Sequence, residues 1–413
     1  MARATRNILL LVGPGVLVAA TGVGAGDLGG AAFAGSHLGL AVLWAVVVGA
    51  LTKFVLNEQL ARWQLATGST ILEGAVARLG RVAWFVFGVY LVFWSPFVAV
   101  ALMKACGAVL NALVPQVPSM AGAIGCSLAG MVMVWLGGFA LFQRVMTVCV
   151  ALMFAVVVLS ASLSSPEPLA LLSGFVPRIP TDEQALAWTI TLFGGVGGTV
   201  TIIGYAYWMR ETGRDGAQAL RTCRLDLALG YTMTGLFGIG MVVLASGIAP
   251  GGELGGGASN IIVGVANRVG ERTHEALRWV FLVGAFGAVF SSVLGVWQVV
   301  PFIFADWWAM RWTSRRGRDR VEVSEKSIPY RTYLVALAVL PCGLLFVNFQ
   351  TAQKLYGLVG AAFIPMLAIA LAFLMNRSAW VGKELRNGWV GNVALALAIA
   401  LSLVAAAWSM LGR

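Results

Sequence analysis

The sequence predicts an all-α integral membrane protein with two five-helix repeats of opposite orientation and one additional helix. Three observations indicate this fold class. The 413 residues are 59% hydrophobic and only 11% charged, whereas soluble domains carry about 25% charged residues. Eleven apolar segments are each long enough to cross a bilayer, and glycine-rich interruptions recur in the first and the sixth of them. We therefore expect residues 1–413 to form a single transmembrane domain.

The predicted spans follow from the lengths of the apolar segments, because a helix needs about 20 such residues to cross the hydrocarbon core. They lie at residues 8–34, 38–63, 82–112, 119–138, 141–163, 186–209, 219–248, 275–305, 331–348, 355–375 and 390–411. The first five spans form repeat one, residues 8–163, and the next five form repeat two, residues 186–375. The last span, residues 390–411, is the additional helix.

The distribution of Lys and Arg predicts the orientation of the chain, because cytoplasmic loops carry an excess of both residues. The N-terminal segment and every second loop are basic, most of all the loop from Arg311 to Arg331. The opposite loops are poorer, and the one between spans 3 and 4 carries no charge. We expect a cytoplasmic N-terminus and an external C-terminus in a bacterial-type inner (plasma) membrane. The net charge of +11 then reflects a lipid-bilayer partner, and no nucleic-acid partner is expected.

The residue inventory excludes several classes of function. The five cysteines form no CxxC pair and there are only two histidines, which argues against a zinc site or a disulfide framework. No Walker motif and no nucleophile–base pair occurs at a motif spacing. We therefore expect neither enzyme activity nor a cofactor, and any uphill transport would use an ion gradient.

Two glycine-rich interruptions point to a solute site. Gly22–Asp27 interrupts span 1, and Gly194–Thr199, followed by Gly204, interrupts span 6. Broken helices at membrane depth are tolerated only where the freed backbone lines a cavity or is buried in protein. A pair of them in corresponding places marks the binding site of a transporter. Because the pair is five spans apart and five is odd, the repeats are inverted, which is the LeuT-type architecture. The alternative is that the glycines only permit close helix packing.

The residues at these interruptions are the predicted substrate-binding residues. They are Thr21, Gly24, Gly26, Asp27, Thr199, Thr201, Gly204, Tyr205 and, in span 8, Gln298. Asp27 is the central candidate, because a carboxylate inside a span costs about 2.5–3.5 kcal/mol on insertion scales. Lys104 in span 3 is a candidate coupling group or counter-charge to Asp27, although a lysine near a helix end can also snorkel to the interface. For Lys53 and Glu58 in span 2 we expect an ion pair with each other or with span 7.

Short motifs in the first two spans resemble those of the NRAMP family of divalent-metal transporters. Gly13-Pro14-Gly15 is followed by Ala34-Gly35-Ser36 and by Ala61-Arg62-Trp63-Gln64-Leu65-Ala66-Thr67-Gly68. The family shows similar GPG, AGS and ARxGxATG motifs at matching separation. The resemblance is strong over residues 10–70, fair around 194–210 and thin elsewhere. It implies a LeuT-type fold with a substrate site between helices 1 and 6, in a chain that functions as a monomer.

The residues that bind metal in this family are replaced here. Its first span carries Asp-Pro-Gly-Asn, whose Asp and Asn ligate the metal, and these places hold Gly24–Asp27, with the acid at the Asn place. Its sixth span carries Met-Pro-His at places that hold Thr201–Ile203. The acidic residues of its third span align with Ala101 and Lys104. The soft sulfur ligand and the histidine are therefore both missing.

Three functions are compatible with these residues. The resemblance makes a divalent metal cation the nominal substrate. Without a thioether ligand the chemistry favours a hard ion such as Mg²⁺ or Mn²⁺, with Asp27 as the candidate metal ligand. The first alternative is transport of a small organic solute, amino-acid or amine-like, because broken helices expose N–H groups that attract carboxylates. The second alternative is a non-transporting sensor or scaffold.

Overall fold

The computed structural model describes residues 13–164, 166–178, 180–248, 259–316 and 323–411, and the regular structure in these ranges is helical. The first half contains α1 (Pro14–Gly22), α2 (Ala31–Leu38), α3 (Leu43–Thr67), α4 (Ile71–Leu79), α5 (Arg81–Leu113), α6 (Ser119–Leu163) and α7 (Pro168–Ser173). The second half contains α8 (Glu183–Gly195), α9 (Gly204–Glu211), α10 (Leu220–Ala245), α11 (Ser259–Arg272), α12 (Glu275–Arg316), α13 (Ile328–Val339), α14 (Phe349–Ala361), α15 (Phe363–Leu374), α16 (Ser378–Leu385) and α17 (Trp389–Leu411).

Many of these helices have the length and composition of membrane spans. Eight helical segments within the described ranges are long and apolar enough to cross a bilayer, and Ile328–Leu344 and Trp389–Leu403 are shorter apolar segments. Some of these segments join several of the elements named above, and two of them lie in α6. The chain is therefore a multi-pass helical membrane protein, as its composition predicts. Residues 8–12 of predicted span 1, the N-terminal arginines and part of the basic loop before Arg331 lie outside the described residues. The orientation of the termini accordingly stays a prediction.

Predicted spans 4 and 5 lie in one helix, α6, which has 45 residues. Two parts of it, Ser119–Gly137 and Leu141–Leu163, are each long and apolar enough to cross a bilayer. At 1.5 Å per residue, α6 would be roughly 68 Å long, more than twice the hydrocarbon thickness of about 30 Å. The two parts correspond to predicted spans 4 and 5. The total of eleven spans stays a prediction.

Predicted span 1, called helix 1, consists of α1, a π-helix and α2, and its hydrogen bonding changes at the first glycine-rich segment. A π-helix, Val23–Gly30, joins α1 to α2 and contains Asp27. The α-helical pattern is interrupted as predicted, but the chain stays helical and does not unwind into an extended segment. A β-carbon at Gly26 would overlap the carbonyl oxygen of Gly195. The glycine is required because the π-helix approaches helix 6 that closely.

Helix 6 is fully broken, as predicted. Its first half, α8, ends at Gly195, and four residues, Val196–Thr199, follow without helical structure. We call these four residues the helix-6 break. Gly197 and Gly198 have φ angles of +72° and +88°, a conformation that side chains with a β-carbon disfavour. A short 3₁₀-helix, Val200–Ile203, then leads into α9.

The two discontinuous helices lie at the centre of the helix packing. Helix α12 packs against α1, the π-helix, α5 and α6, while α10 packs against α1, α2 and α3. Helix α14 packs on α8 and α5. The π-helix and the helix-6 break are therefore enclosed by protein, which is the condition under which irregular backbone is tolerated at membrane depth.

Two further differences from the predicted spans concern their ends and connections. Helix α11 is an additional amphipathic helix between predicted spans 7 and 8. A search for long apolar segments does not find it, because polar residues recur along its length. Predicted span 10 is divided between α14 and α15, which meet at Ala362. Neither difference alters the position of the helix-6 break.

Candidate functional site

Asp27 links the two discontinuous helices at the centre of the molecule. Its side chain is 0% exposed, and its Oδ1 accepts a hydrogen bond from the backbone N–H of Gly197 at 3.1 Å. The positive φ of Gly197 accompanies this contact across the helix-6 break. Oδ2 has no hydrogen-bond partner among the described residues. A buried carboxylate oxygen without a partner is costly, so this atom is the best-placed ligand for a bound solute.

Two side chains of α10 pack against the same glycine. A β-carbon built on Gly197 would lie 2.9 Å from the Tyr231 ring and 3.5 Å from the Thr234 methyl group. The Tyr231 hydroxyl accepts a hydrogen bond from the Asn57 amide at 2.9 Å. Asn57 Oδ1 and Thr234 Oγ1 are buried without a hydrogen-bond partner in the described part of the chain. The two side chains that pack against Gly197 thus carry neutral hydroxyl groups, and one of them is bound to Asn57.

These neutral donors were missed in the sequence because they carry no charge. Tyr231 and Thr234 are three residues apart in α10, a spacing that places both on one helix face. Asn57 follows Lys53 by one helical turn in α3. Polar residues on one face of a predicted span are the pattern that would have indicated them.

Lys53 binds the backbone at the helix-6 break. It is fully buried, and its Nζ donates hydrogen bonds of 2.9 Å to the carbonyl oxygens of Gly194 and Val196. It interacts electrostatically with Asp27, although no direct ion pair between the two is formed. Glu58 pairs instead with Arg62 at 2.9 Å and with Arg224 of α10 at 2.8 Å. The predicted pairing with span 7 is therefore made by Glu58, and Lys53 is bound to the broken helix.

The other three predicted residues of helix 1 make contacts within that helix or with neighbouring helices. Thr21 Oγ1 donates to the Leu17 carbonyl at 2.8 Å within its own helix. The Gly24 N–H donates to Ser292 Oγ of α12 at 2.8 Å. Gly26 touches Gly195. Gly24 and Gly26 therefore permit close helix packing, and their role in binding a solute stays a prediction.

Three predicted residues of helix 6 pack within the broken segment or against neighbouring helices. Thr199 is fully buried against Gly360, with its hydroxyl facing Tyr356 of α14. Thr201 packs beside Gly198 within the broken segment. Gly204 packs against the Val299 side chain of α12.

The remaining three predicted residues make their contacts elsewhere. The Tyr205 hydroxyl faces Asp226 Oδ2 at 3.4 Å, and Gln298 Oε1 accepts a hydrogen bond from Trp208 at 2.9 Å. Lys104 Nζ donates to the Leu345 carbonyl at 2.8 Å. These contacts are with protein groups, and the substrate-binding roles of Tyr205 and Gln298 stay predictions. Lys53, and not Lys104, is bound to the broken helix. Sequence alone could not decide between two lysines that both lie in apolar helices.

A polar network closes the site near the start of α1. Arg214 forms an ion pair of 2.6 Å with Asp226, which also accepts the Gly15 N–H at 2.8 Å. Burial disfavours the charged Arg214, but Asp226, Tyr205 and Cys223 together outweigh burial, so the pKa of the guanidinium is raised. In a second polar contact, the Tyr207 hydroxyl of α9 donates a hydrogen bond of 2.7 Å to Asp306 Oδ2 of α12.

An aromatic cluster closes the other end. Phe33 of α2 stacks on Trp188 of α8 with ring centroids 4.9 Å apart, and His37 stacks on the same ring at 5.5 Å. Along helix 1, Gly15 precedes Asp27 by 12 residues and Phe33 follows it by 6. Asp27 is therefore enclosed between two separate closures.

The donor set limits the type of ion that could bind. No group of three or more His, Cys, Asp and Glu residues able to hold a metal occurs among the described residues. A cation at Asp27 would therefore have one carboxylate ligand, neutral oxygens and its own water. Oxygen ligands of this kind suit Mg²⁺, Ca²⁺ and Mn²⁺.

Comparison with known families decides the relationship. The model of the family described as Nramp, natural resistance-associated macrophage protein-like, matches residues 15–412. This chain belongs to the Nramp family. Curated relatives of this Nramp chain include proteins called divalent metal cation transporter MntH from Mycobacterium tuberculosis and Mycobacterium bovis, both 24% identical over 255 residues. The match spans 57% of this chain, 57% of the Mycobacterium tuberculosis protein and 36% of the Mycobacterium bovis protein.

Solved structures share the fold of this Nramp chain. A manganese transporter mutant of Eremococcus coleocola aligns with a TM-score of 0.73 and 14% identity, over 98% of this chain and 87% of that one. MhsT in complex with L-phenylalanine aligns with a TM-score of 0.61 and 15% identity, over 96% and 97%. The predicted LeuT-type fold is confirmed, and members of this family are membrane transporters and not enzymes.

Proposed function

We propose that this Nramp protein is a secondary transporter that moves a hard divalent cation, Mn²⁺ or Mg²⁺, by alternating access. The observation that carries the proposal is Asp27 Oδ2, a buried carboxylate oxygen that has no hydrogen-bond partner within the described residues. It lies where the π-helix meets the helix-6 break, which is the position of the solute site in transporters with inverted repeats. The curated relatives called divalent metal cation transporters support the same substrate class.

The neutral oxygens explain why the preferred ion would be hard and partly hydrated. Asn57 Oδ1 and Thr234 Oγ1 are buried acceptors without a partner in the described structure. Together with Asp27 they provide fewer ligands than the six that Mg²⁺ requires, and Mg²⁺ usually keeps several of its waters. A hydrated ion would fill the remaining positions with water bound to these side chains.

The two closures provide the alternating gates in this proposal. Release on the Gly15 side requires the Arg214–Asp226 ion pair to open, and release on the other side requires separation of Phe33 from Trp188. Gly197 and Gly198 are the natural hinge, because positive-φ glycines absorb backbone rotation at low cost. Opening one closure while the other stays shut would carry the ion across.

The finer features of the topology belong to the same proposal. Residues 8–163 and 186–375 form the two inverted repeats, and residues 390–411 form the additional helix. The N-terminus is cytoplasmic and the C-terminus external in a bacterial plasma membrane. The functional unit is a monomer, with an ion as substrate and the lipid bilayer as partner.

Uptake into liposomes tests the proposal. Purified protein is reconstituted with an entrapped fluorescent indicator, and Mn²⁺ and Mg²⁺ are added outside. Wild-type vesicles should show saturable uptake, and Asp27→Asn should reduce it at least about tenfold, since an ionic interaction with a buried carboxylate is worth more than 1.4 kcal/mol. Asp215→Asn is the matched control, because Asp215 is exposed in the connection between α9 and α10.

The alternatives are distinguished in the same vesicles. Uptake of a labelled amino acid or amine that depends on Asp27, without any cation uptake, would overturn the cation proposal. Saturable binding of ions by calorimetry with no flux in either direction would favour a sensor. Equal uptake by Asp27→Asn and Asp215→Asn would remove Asp27 from the site.

A further inference from the structure

Lys53 has an unusual position for a lysine in a membrane helix. It is one of the largest fully buried side chains, and its ammonium group points into the protein rather than toward an interface. Lysines in membrane spans usually snorkel to the headgroups. Lys53 instead donates two hydrogen bonds of 2.9 Å, to the carbonyl oxygens of Gly194 and Val196.

The two carbonyls belong to the end of a half-helix. Gly194 lies in the last turn of α8, and Val196 is the first residue of the helix-6 break. Carbonyl groups in the last turn of a helix have no partner within the helix and carry the negative end of the helix dipole. They form a cation-binding cradle, defined here as the Gly194 and Val196 carbonyl oxygens with Asp27 nearby.

The local sequence of α3 brings the lysine to this cradle. Gly49 precedes Lys53 by one helical turn, and a β-carbon there would lie 3.3 Å from the Phe193 carbonyl oxygen and 3.5 Å from Val196. The absence of a side chain at Gly49 lets α3 approach the end of α8. The lysine one turn later then reaches both carbonyls with its ammonium group.

Charge balance explains why the ammonium is retained. A buried ion is stable only when it is paired and hydrogen-bonded. Lys53 and Asp27 interact electrostatically, and the carbonyls satisfy two of the three ammonium hydrogens. Tyr231 and Tyr356 are the other titratable groups that face Asp27. The two carbonyl oxygens thus favour the ammonium form of Lys53.

We infer that this cradle is a site for a monovalent cation and that the chain fills it permanently with its own lysine. In transporters with inverted repeats, carbonyls at half-helix ends bind a free coupling cation. Here the tethered ammonium of Lys53 binds the end of α8 and the start of the helix-6 break. Lys53 is therefore a positioning residue, and this cradle needs no free Na⁺ or K⁺. This inference goes beyond the proposed function and does not depend on which solute binds at Asp27.

Chemical rescue of Lys53→Ala tests the inference. The variant removes the ammonium and leaves a cavity that ends at two carbonyl oxygens. The thermal transition of the purified full chain is measured in detergent with ethylammonium, Na⁺, K⁺ or choline chloride at equal ionic strength. We expect a lower Tm than wild type in choline, and a saturable rise of about 2–4 °C with ethylammonium up to about 100 mM. Choline is too large to enter the cradle.

Controls make the outcome specific. Wild type and Lys383→Ala, which removes an exposed lysine, should show no difference between ethylammonium and choline. Lys53→Met fills the cavity with an uncharged side chain, so it should not be rescued. No stabilisation of Lys53→Ala by any small cation, or the same stabilisation in Lys383→Ala, would overturn the inference.

A second measurement needs no variant. Solute flux of wild-type protein should be unchanged when choline replaces all Na⁺ and K⁺. A strict requirement for Na⁺ or K⁺ would contradict the inference even if Lys53→Ala cannot be purified. Absence of flux for every solute would contradict the proposed function instead, and the rescue of Lys53→Ala would still be readable.

Discussion

Replacing Gly197 by alanine tests whether the helix-6 break positions Asp27. Gly197 has φ +72°, and its N–H is the donor to Asp27 Oδ1. The left-handed conformation costs residues with a β-carbon about 1–2 kcal/mol. The new methyl group would also lie 2.9 Å from the Tyr231 ring, and overpacking of this kind costs about 1–3 kcal/mol.

The structure therefore predicts a loss of about 2–5 kcal/mol in the free energy of unfolding for Gly197→Ala. Gly213→Ala is the matched control, because Gly213 has φ +66° and no atom within 4 Å of the added β-carbon. It should lose only the conformational part, about 1–2 kcal/mol. The difference between the two variants isolates the contact with Tyr231.

Denaturant unfolding in detergent provides the assay, with the fluorescence of the 15 tryptophans as the probe. Solute flux in liposomes is measured on the same preparations, and only Gly197→Ala should reduce it. Equal destabilisation of the two variants, together with unchanged flux in Gly197→Ala, would refute the argument. Gly197 would then be needed only for the backbone turn, and it would not position the Asp27 carboxylate.

Two further predictions concern Asp226 and Glu325. Asp226→Asn removes the ion pair with Arg214, a hydrogen bond between charged groups worth about 1.5–3 kcal/mol. Modification of the buried Cys223 by a maleimide, measured by peptide mass spectrometry, should then become about tenfold faster or more. An unchanged rate would show that the ion pair does not hold this closure. Burial raises the pKa of Glu325, a hydrogen bond with Gln298 lowers it, and the charge of Glu211 raises it further. The Glu325 carboxyl group therefore binds its proton more tightly in the folded protein than in the unfolded chain. Ionised Glu325 consequently destabilises the folded protein. Glu325→Gln should consequently raise the Tm at pH 7.5, with the gain shrinking as the pH falls toward the ordinary glutamate pKa of about 4.3; a gain that does not change with pH would exclude this cause.

The break in helix 6 was predictable because glycine has a local meaning. Gly197 and Gly198 adopt positive φ angles, and only glycine does so without cost. The first interruption was harder to interpret. Its glycines are used for close contacts, such as Gly26 on Gly195, and the chain forms a π-helix that no local pattern predicts.

The candidate site was predictable only in part. Asp27 was identified because a carboxylate in an apolar span is expensive wherever the span packs. Tyr205 lies next to the predicted break in sequence, yet its hydroxyl faces Asp226. Asn57 and Thr234 were overlooked, since a neutral polar residue in a span has an ordinary role in most helix contacts.

The amino-acid sequence by itself determined that this chain is a helical membrane protein, that helix 6 breaks at paired glycines and that Asp27 is the central acid. These properties depend on composition and on local backbone energies, which do not require knowledge of distant neighbours. The tertiary structure alone decided that Lys53, and not Lys104, is the cation at the broken helix. Both lysines lie in apolar helices, and the difference arises from which backbone carbonyls the packing of α3 and α5 places beside each ammonium group.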